Sequence, residues 1–215
     1  MNKDTIIKNA EGFISELFEN EFSGHDYYHT MRVFRMAEGI ARECGADLFI
    51  VRLAALLHDA DDVKLSPETA ETLGNARRFM TAQGVDEKTQ STVCGIISEI
   101  SFKGADSVTP STIEGQCVQD ADRLDAIGAV GAARTFAYGG RRGRPMYDPN
   151  VPPKMEMTEA EYRKSDSSSL NHFYEKLFKL KDMMNTSPAK RIAEARDTFM
   201  HEFVDEFLAE WNGER

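Results

Sequence analysis

The stretch LAALLHDADD, residues 53–62, joins an apolar run to one histidine and three acidic residues. Its apolar residues recur at helical spacing, and His58 falls on the same stripe as Ala54 and Leu57, which predicts a buried helix ending near His58. Asp59 follows at the helix end, where the backbone can turn both side chains toward one point. Since a buried carboxylate is costly unless it is paired or bound to metal, we expect polar chemistry at this end of the helix.

The rest of the chain repeats the helical pattern, and no segment shows the two-residue period of a strand. The pattern predicts a first helix after Asp4, a second from about Asp26 to Cys44 that stops at Gly45, and a third capped by Asp47. Further helices are predicted from Ser66-Pro67 to Gly84, from Asp86 onward, from a capping box at Ser111 and Glu114 through Ala133, over residues 169–184, and from Ala189 to Trp211. The expected fold class is all-α.

One segment departs from this pattern. GGRRGRPMYDPNVPP, residues 139–153, contains four of the seven prolines and three arginines. Such a composition excludes regular structure throughout, and a long loop inside a compact domain is usually functional or disordered. We therefore expect one domain, residues 1–215, with an irregular loop over residues 139–166.

Composition narrows the class of protein. The net charge of −10 argues against binding to nucleic acid polymers. No apolar run approaches the roughly 18 residues of a membrane span, and no leader segment is evident. The three cysteines lack metal-binding spacing. We expect a cytoplasmic protein that acts on a small molecule and contacts no membrane; the oligomeric state stays open.

Two further strings supply potential metal ligands. His29 lies in GHDYYHTMRV, residues 24–33, and Asp122 lies in QDADRLDAIG, residues 119–128; both face the apolar side of a predicted helix. A single buried histidine is more often a hydrogen-bonded core residue. Two imidazoles and two carboxylates on three helices instead suit a divalent ion with open coordination positions, as in a catalytic site.

The order of these four residues resembles a known family. His29, then His58-Asp59, then Asp122 match the H…HD…D signature of the HD-domain metal-dependent phosphohydrolases. The strings GHDYYH, LAALLHDADD, DADRLDAIGA and SLNHFYEKLFKL extend the resemblance over most of residues 24–211. The chain looks like a subgroup of small bacterial HD hydrolases, some of which resemble nucleotide pyrophosphohydrolases. The resemblance implies an HD-domain helical bundle around a metal centre.

The resemblance also implies one metal ion. Family members with two metals use two further histidines between the HD pair and the last aspartate, whereas here no histidine lies between His58 and His172. His29, His58, Asp59 and Asp122 would then hold a single divalent ion. Mn²⁺ is our first choice, with Mg²⁺, Co²⁺, Ni²⁺, Fe²⁺ and Zn²⁺ as alternatives.

A phosphohydrolase also needs residues that transfer protons and residues that neutralise the charge of the phosphate. Asp62 lies one turn past His58, where the single-metal members carry an acidic residue, and we assign it as general acid/base. The alternative is that Asp61 and Asp62 end the helix in solvent. Lys64 can reach the site from a loop, and His25, one turn before His29, can orient that ligand from the second shell.

The remaining candidates are substrate contacts. Arg32 follows His29 by one turn, and Tyr28 can stack on a nucleobase, although core packing explains an aromatic residue there equally well. Guanidinium groups suit phosphate, and the candidates in and after the loop are Arg141, Arg144, Asn171 and Lys176. A solvated basic turn and an ordinary amphipathic helix are the competing interpretations.

These features predict a metal-dependent phosphohydrolase that acts on nucleotides or related phosphate esters. Within that class we favour cleavage of nucleoside triphosphates to monophosphate and pyrophosphate. The alternatives are a 5′-nucleotide monophosphatase and a nucleotide-sensing module without turnover. A di-iron HD oxygenase would need ligands that this sequence does not show.

Overall fold

The structure, a computed structural model, describes residues 2–19, 26–63, 65–100, 108–155 and 167–215. Within these ranges the chain contains helices and irregular segments and no strand, which confirms the all-α prediction. The longer helices are α1 (Lys3–Leu17), α2 (Tyr27–Cys44), α3 (Leu48–Leu57), α4 (Gly74–Ala82), α5 (Glu87–Ile100), α6 (Ile113–Asp125), α7 (Gly128–Arg141) and α9 (Ser187–Trp211). Before α9, a π-helical turn (Phe173–Leu177), the short helix α8 (Phe178–Leu180) and a 3-10 turn (Lys181–Met183) follow one another. None of the helices in the described ranges is long and apolar enough to cross a lipid bilayer.

The chain divides into two compact units. The first comprises Met1–Ser101 and Val108–Ala121, and the second comprises Phe102–Ser107 and Asp122–Arg215. The organisation of residues 1–215 as a single domain stays a prediction.

In the first unit, α3 is the central element and packs against α1, α2 and α5. Residues 53–57 are fully buried, and this C-terminal half of α3 contains only apolar side chains. Asp47 caps this helix, accepting hydrogen bonds from the backbone N–H groups of Phe49 and Ile50 at 2.8 and 3.3 Å. The predicted start and end of α3 are therefore confirmed.

Helix α2 also has the predicted ends. Its N-cap is Asp26, and Gly45 ends it in the left-handed conformation, with φ of +69°. The cap carboxylate accepts a hydrogen bond from the backbone N–H of His29 at 2.7 Å. His29 is thereby fixed in the first turn of the helix.

In the second unit, α9 packs against α7 and against the segment of residues 178–183. Aromatic rings fill much of this contact: the Phe136 centroid lies 5.6 Å from that of Phe207 and 6.0 Å from that of Phe203. The predicted helix from Ala189 to Trp211 is confirmed as the body of α9.

The prediction of one long helix through Ala133 is wrong. Helix α6 ends at Asp125 and α7 begins at Gly128, whose φ is +77°. A Cβ atom there would also lie 2.9 Å from Cγ of Arg196. Close packing and a left-handed backbone together require this glycine.

The predicted capping box is also absent, because both of its side chains have distant partners. The hydroxyl of Ser111 donates to the carboxylate of Glu99 at 3.2 Å, and the carboxylate of Glu114 accepts from the backbone N–H of Asp47 at 3.0 Å. Thr112 instead accepts from the N–H of Gly115 at 3.1 Å. Tertiary contacts override the local signal here.

Two helix boundaries in the structure differ from the predicted ones. Ser66-Pro67 starts a run of turns, and α4 begins only at Gly74. Helix α7 continues through Arg141, so the start of the predicted loop at Gly139 is wrong. Residues 142–155 are irregular as predicted, apart from isolated turns, and residues 156–166 lie outside the described ranges.

Candidate metal centre and basic cluster

The turn that follows α3 presents the HD pair. The Nδ1 atom of His58 lies 2.8 Å from the carbonyl oxygen of Ala55. Because a carbonyl oxygen only accepts, Nδ1 carries the proton and Nε2 is left with its lone pair. This is the tautomer that binds a metal through Nε2.

His29 approaches the same point from α2. Its ring centroid lies 5.3 Å from that of His58, and the two rings meet edge to face. Its Nε2 atom lies 3.4 Å from Oδ2 of Asp59, while Nε2 of His58 lies 3.3 Å from that same oxygen. One ligand atom from each of the three residues can be chosen so that all lie within 4.8 Å of one another.

The chemistry of these three groups fits a divalent cation. His29, His58 and Asp59 are 2%, 8% and 9% exposed. The lone pair of His58 Nε2 and the carboxylate of Asp59 converge in a buried position, and a cation between them would offset their repulsion. Two neutral imidazoles and a carboxylate suit ions of the Mn²⁺ to Zn²⁺ series. These residues can therefore hold such an ion.

Asp122, the fourth predicted ligand, lies on α6 and belongs to the second compact unit. Its side chain is partly exposed. Within that unit, the charge of Asp122 acts on Lys176 and favours the protonated amine. Its role as a metal ligand stays a prediction.

Cationic groups gather in the second unit. We define the basic cluster as five side chains: Arg123, Arg134, Arg144, His172 and Lys176. Burial lowers the pKa of Lys176 to about 8, and the positive charges of Arg134 and Arg123 act in the same direction. Partly buried cations that lie near one another favour an anion, because the like charges then gain a counter-charge.

His172 extends the basic cluster. Burial lowers the pKa of this imidazole to about 3, and the charges of Lys176 and Arg144 act in the same direction. His172 is therefore neutral near pH 7 and offers one donor and one acceptor among cations.

Other members of the basic cluster are held by hydrogen bonds. Arg134 pairs with Asp125, and Arg123 donates to the backbone carbonyl of Met183. These partners belong to the ends of α6 and of the 3-10 turn. The two guanidinium groups are thereby positioned by a carboxylate and a backbone carbonyl of the same unit.

A π-helical turn contains five residues of the SLNHFYEKLFKL string. It spans Phe173–Leu177, directly after His172 and including Lys176. Turns of this kind are rare, widen the helix and occur often at functional sites. The sequence predicted a helix here but gave no sign of the π geometry.

Residues 142–155 of the irregular segment are hydrogen-bonded to residues 167–175. Ser169 donates its N–H to the carbonyl of Pro145 at 3.0 Å, and the Asn171 amide donates to the carbonyl of Val151 at 2.8 Å. Arg144 is thus in a segment that is held in place, 6.0 Å from the centre of the Tyr138 ring. Asn171 is buried and has this bracing contact; its role in binding substrate stays a prediction.

The other predicted residues vary in exposure. Tyr28 is 70% exposed and meets Tyr27 edge to face, so it is not a core residue. Arg32 and Asp62 are partly exposed, and Arg141 is exposed in the last turn of α7. Their assigned roles stay predictions. The predictions for His25 and Lys64 lie outside the described residues.

Sequence reasoning missed several organising residues. The carboxylate of Asp61 is buried against the first turn of α4, whereas the sequence left open that it lies in solvent. Asn75 and Arg134 were not identified either. Their roles depend on partners distant in sequence: Asn75 binds Asp61, fourteen residues earlier, and Arg134 binds Asp125 in the preceding helix.

The fold and these donor groups define an all-helical protein able to hold a divalent metal. Comparison with known proteins agrees: the HD domain model matches residues 26–127. YpgQ of Bacillus subtilis (strain 168) is 40% identical over 203 residues, covering 92% of this chain and 91% of YpgQ. The chain belongs to the HD-domain family, in the superfamily of HD phosphohydrolases.

Solved structures support the same assignment. A protein from Lactobacillus plantarum superposes with a TM-score of 0.87 at 40% identity, covering 99% of this chain and 100% of that one. An HD-superfamily hydrolase from Bacillus thuringiensis gives 0.78 at 43% identity, covering 98% and 99%. YpgQ crystallised in complex with ADP gives 0.73 at 35% identity, covering 97% of both chains. The protein is thus a hydrolase of the HD superfamily, and HD domains bind divalent metals.

Proposed function

We propose that this protein is a nucleotide pyrophosphohydrolase, which cleaves nucleoside or deoxynucleoside triphosphates to the monophosphate and pyrophosphate. The observation that carries the proposal is the basic cluster, which gathers three arginines, a lysine and a neutral histidine in the unit that contains Asp122. The ADP bound to YpgQ supports a nucleotide ligand.

His29, His58, Asp59 and Asp122 would hold one divalent ion, with Mn²⁺ as the first choice. Such an ion lowers the pKa of a coordinated water and neutralises charge on a phosphoryl oxygen. The buried ligand atoms of the first three residues support this role. His25 would orient His29.

Asp62 would accept and return the proton during hydrolysis. It follows Asp59 by three residues, and its backbone N–H donates to the carbonyl of Asp59 at 3.1 Å. The turn that carries a metal ligand therefore also carries this carboxylate. Lys64, two residues further along the chain, would neutralise negative charge on the phosphate.

Lys176, Arg141 and Arg144 would bind the phosphate chain, and Arg32 would add a cation from α2. Tyr28 would stack on the nucleobase, which its large exposed fraction permits. Asn171 would contact substrate through the remaining hydrogen-bonding positions of its amide, since the bond to Val151 uses one Nδ2 hydrogen.

The charge of the basic cluster favours a triphosphate over a monophosphate. Lys176, Arg123 and Arg134 interact with one another and with the carboxylates of Asp122 and Asp125, and Lys176 and Arg144 both act on His172, so cations outnumber carboxylates among these interacting groups. A triphosphate brings about twice the negative charge of a monophosphate and gains more from such a site.

A substrate panel tests this proposal. Protein loaded with Mn²⁺ should convert triphosphates into equal amounts of monophosphate and pyrophosphate, and it should leave monophosphates intact. Release of orthophosphate from monophosphates alone would identify a monophosphatase instead. Tight nucleotide binding without hydrolysis under several metals would identify a sensing module.

A further inference from the structure

The turn that carries Asp59 and Asp62 is held from a distance by α4. The carboxylate of Asp61 is buried, and its Oδ1 accepts from the backbone N–H of Asn75 at 2.8 Å. Its Oδ2 accepts from the backbone N–H of Ala76 at 3.0 Å. Since α4 begins at Gly74, these are the N–H groups that an N-cap side chain normally satisfies.

Asn75 returns the contact. Its side chain is buried, and its Nδ2 donates to the carbonyl oxygen of Ala60 at 2.8 Å. The same nitrogen lies 3.2 Å from Oγ of Ser66. Ala60 directly follows Asp59 in the chain, and the N–H of Ser66 donates to the carbonyl of Asp62 at 2.8 Å. The Asn75 side chain therefore contacts both ends of the turn that contains Asp59 and Asp62.

The local residue at the start of α4 does not cap the helix. Leu73 occupies the N-cap position with φ of 54° and makes no side-chain hydrogen bond. A left-handed conformation is unfavourable for leucine, and its side chain has no acceptor for the first N–H groups of α4. The cap comes instead from Asp61, fourteen residues before Asn75.

We propose that Asp61 and Asn75 are positioning residues that fix the turn from His58 to Asp62, so that Asp59 is preorganised for the metal and Asp62 for proton transfer. The inference rests on the proposed metal centre. Both oxygens of Asp61 are engaged by backbone N–H groups, which distinguishes its role from that of the ligand Asp59. Residues that orient metal ligands typically contribute about ten- to one-hundred-fold to metal affinity.

The chain contains a matched control for loss of a helix cap. Asp86 caps α5, accepting from the N–H of Thr89 at 3.0 Å and from its hydroxyl at 2.7 Å. This carboxylate is exposed and has no part in the proposed site. Asp86→Ala therefore removes a cap without touching the turn after α3.

Mn²⁺ titration and thermal unfolding of purified full-length protein test the proposal. We expect Asp61→Ala and Asn75→Ala to raise the Kd for Mn²⁺ at least about ten-fold. Asp86→Ala should lower Tm while the Kd stays within about two-fold of wild type. Asp61→Asn retains one acceptor oxygen and should recover part of the affinity. A wild-type Kd in Asp61→Ala and Asn75→Ala, with only Tm lowered, would overturn the proposal.

Hydrogen exchange supplies a readout that needs no metal. Amides of residues 58–62 should exchange faster in metal-free Asn75→Ala than in wild type, and at the wild-type rate in Asp86→Ala; unchanged exchange in Asn75→Ala would overturn the positioning role. Absence of Mn²⁺ binding to wild-type protein would contradict the proposed metal centre instead, so the two failures are distinguishable.

Discussion

The Nε2 atom of His58 lies 3.3 Å from Oδ2 of Asp59, although the two residues are neighbours in the chain. Neighbouring side chains within an α-helix point in directions about 100° apart. Here α3 ends at Leu57, and His58, its C-cap residue, still has helical φ and ψ of −60° and −37°. The two side chains nevertheless meet directly after the helix, so these adjacent residues can serve one metal.

Removing either residue of the pair should abolish metal retention. For His58→Ala and Asp59→Ala we expect Mn²⁺ affinity to fall at least about one-hundred-fold, because few ligands remain and the surviving acceptors stay buried. Calorimetric titration with Mn²⁺ measures this. His201→Ala is the control, since His201 is half-exposed on α9 and stacks on Phe178. Wild-type affinity in His58→Ala would refute the assignment of the site.

Asp62→Asn should separate chemistry from metal binding. The amide is nearly isosteric but cannot take up a proton at neutral pH, so turnover should fall at least about 10²-fold. The Kd for Mn²⁺ should stay near the wild-type value. Steady-state rates and metal titration on the same preparation check both statements. Exposed Asp182→Asn provides the control, and retained turnover in Asp62→Asn would remove this residue from its role.

Lys176→Met should weaken substrate binding. Losing one charge from the basic cluster should raise KM for a nucleoside triphosphate about ten-fold, which corresponds to about 1.4 kcal/mol. The exposed Lys190 on α9 offers a matched control as Lys190→Met. If both variants keep the wild-type KM, the basic cluster is not the phosphate site.

His172 gives the stability of the fold a pH dependence. Its pKa is about 3 in the folded protein against 6.5 for the ordinary imidazole, so below pH 6.5 the unfolded chain binds a proton that the folded chain does not. Stability from this group is complete above pH 6.5 and is lost as the pH falls toward 3. Between pH 7.5 and 5 the loss should approach about 2 kcal/mol.

Urea unfolding at pH 7.5 and pH 5 measures this effect. His172→Gln should lose less stability between the two pH values than wild type, whereas His201→Gln should behave like wild type. Equal losses in wild type and His172→Gln would show that His172 does not titrate abnormally.

Local signals predicted the parts of the fold that local physics controls. Asp26 and Asp47 begin their helices, and Gly45 ends α2, because caps and left-handed glycines act within a few residues. The interruption at Gly128 was missed, since its backbone conformation cannot be read from a helical pattern.

The site residues likewise comprise some that local patterns predicted and others that depend on long-range contacts. His29, His58 and Asp59 were predicted from their order and inward-facing positions, and the structure brings these three together. Asp61 was interpreted only locally because its partners are in α4. The basic cluster was predicted in part, through Arg144 and Lys176. The partnership of Arg134 with Asp125 depends on the break between α6 and α7, which the sequence pattern concealed.

One measurement tests the central claim most directly. It quantifies the products formed from one nucleoside triphosphate before the metal is chelated, after chelation, and after Mn²⁺ is added back. Chelated protein should be inactive, and added Mn²⁺ should restore release of monophosphate and pyrophosphate in equal amounts, with no restoration in His58→Ala. Orthophosphate as the sole phosphorus product, or equal pyrophosphate release by His58→Ala, would contradict metal-dependent pyrophosphohydrolysis at this site.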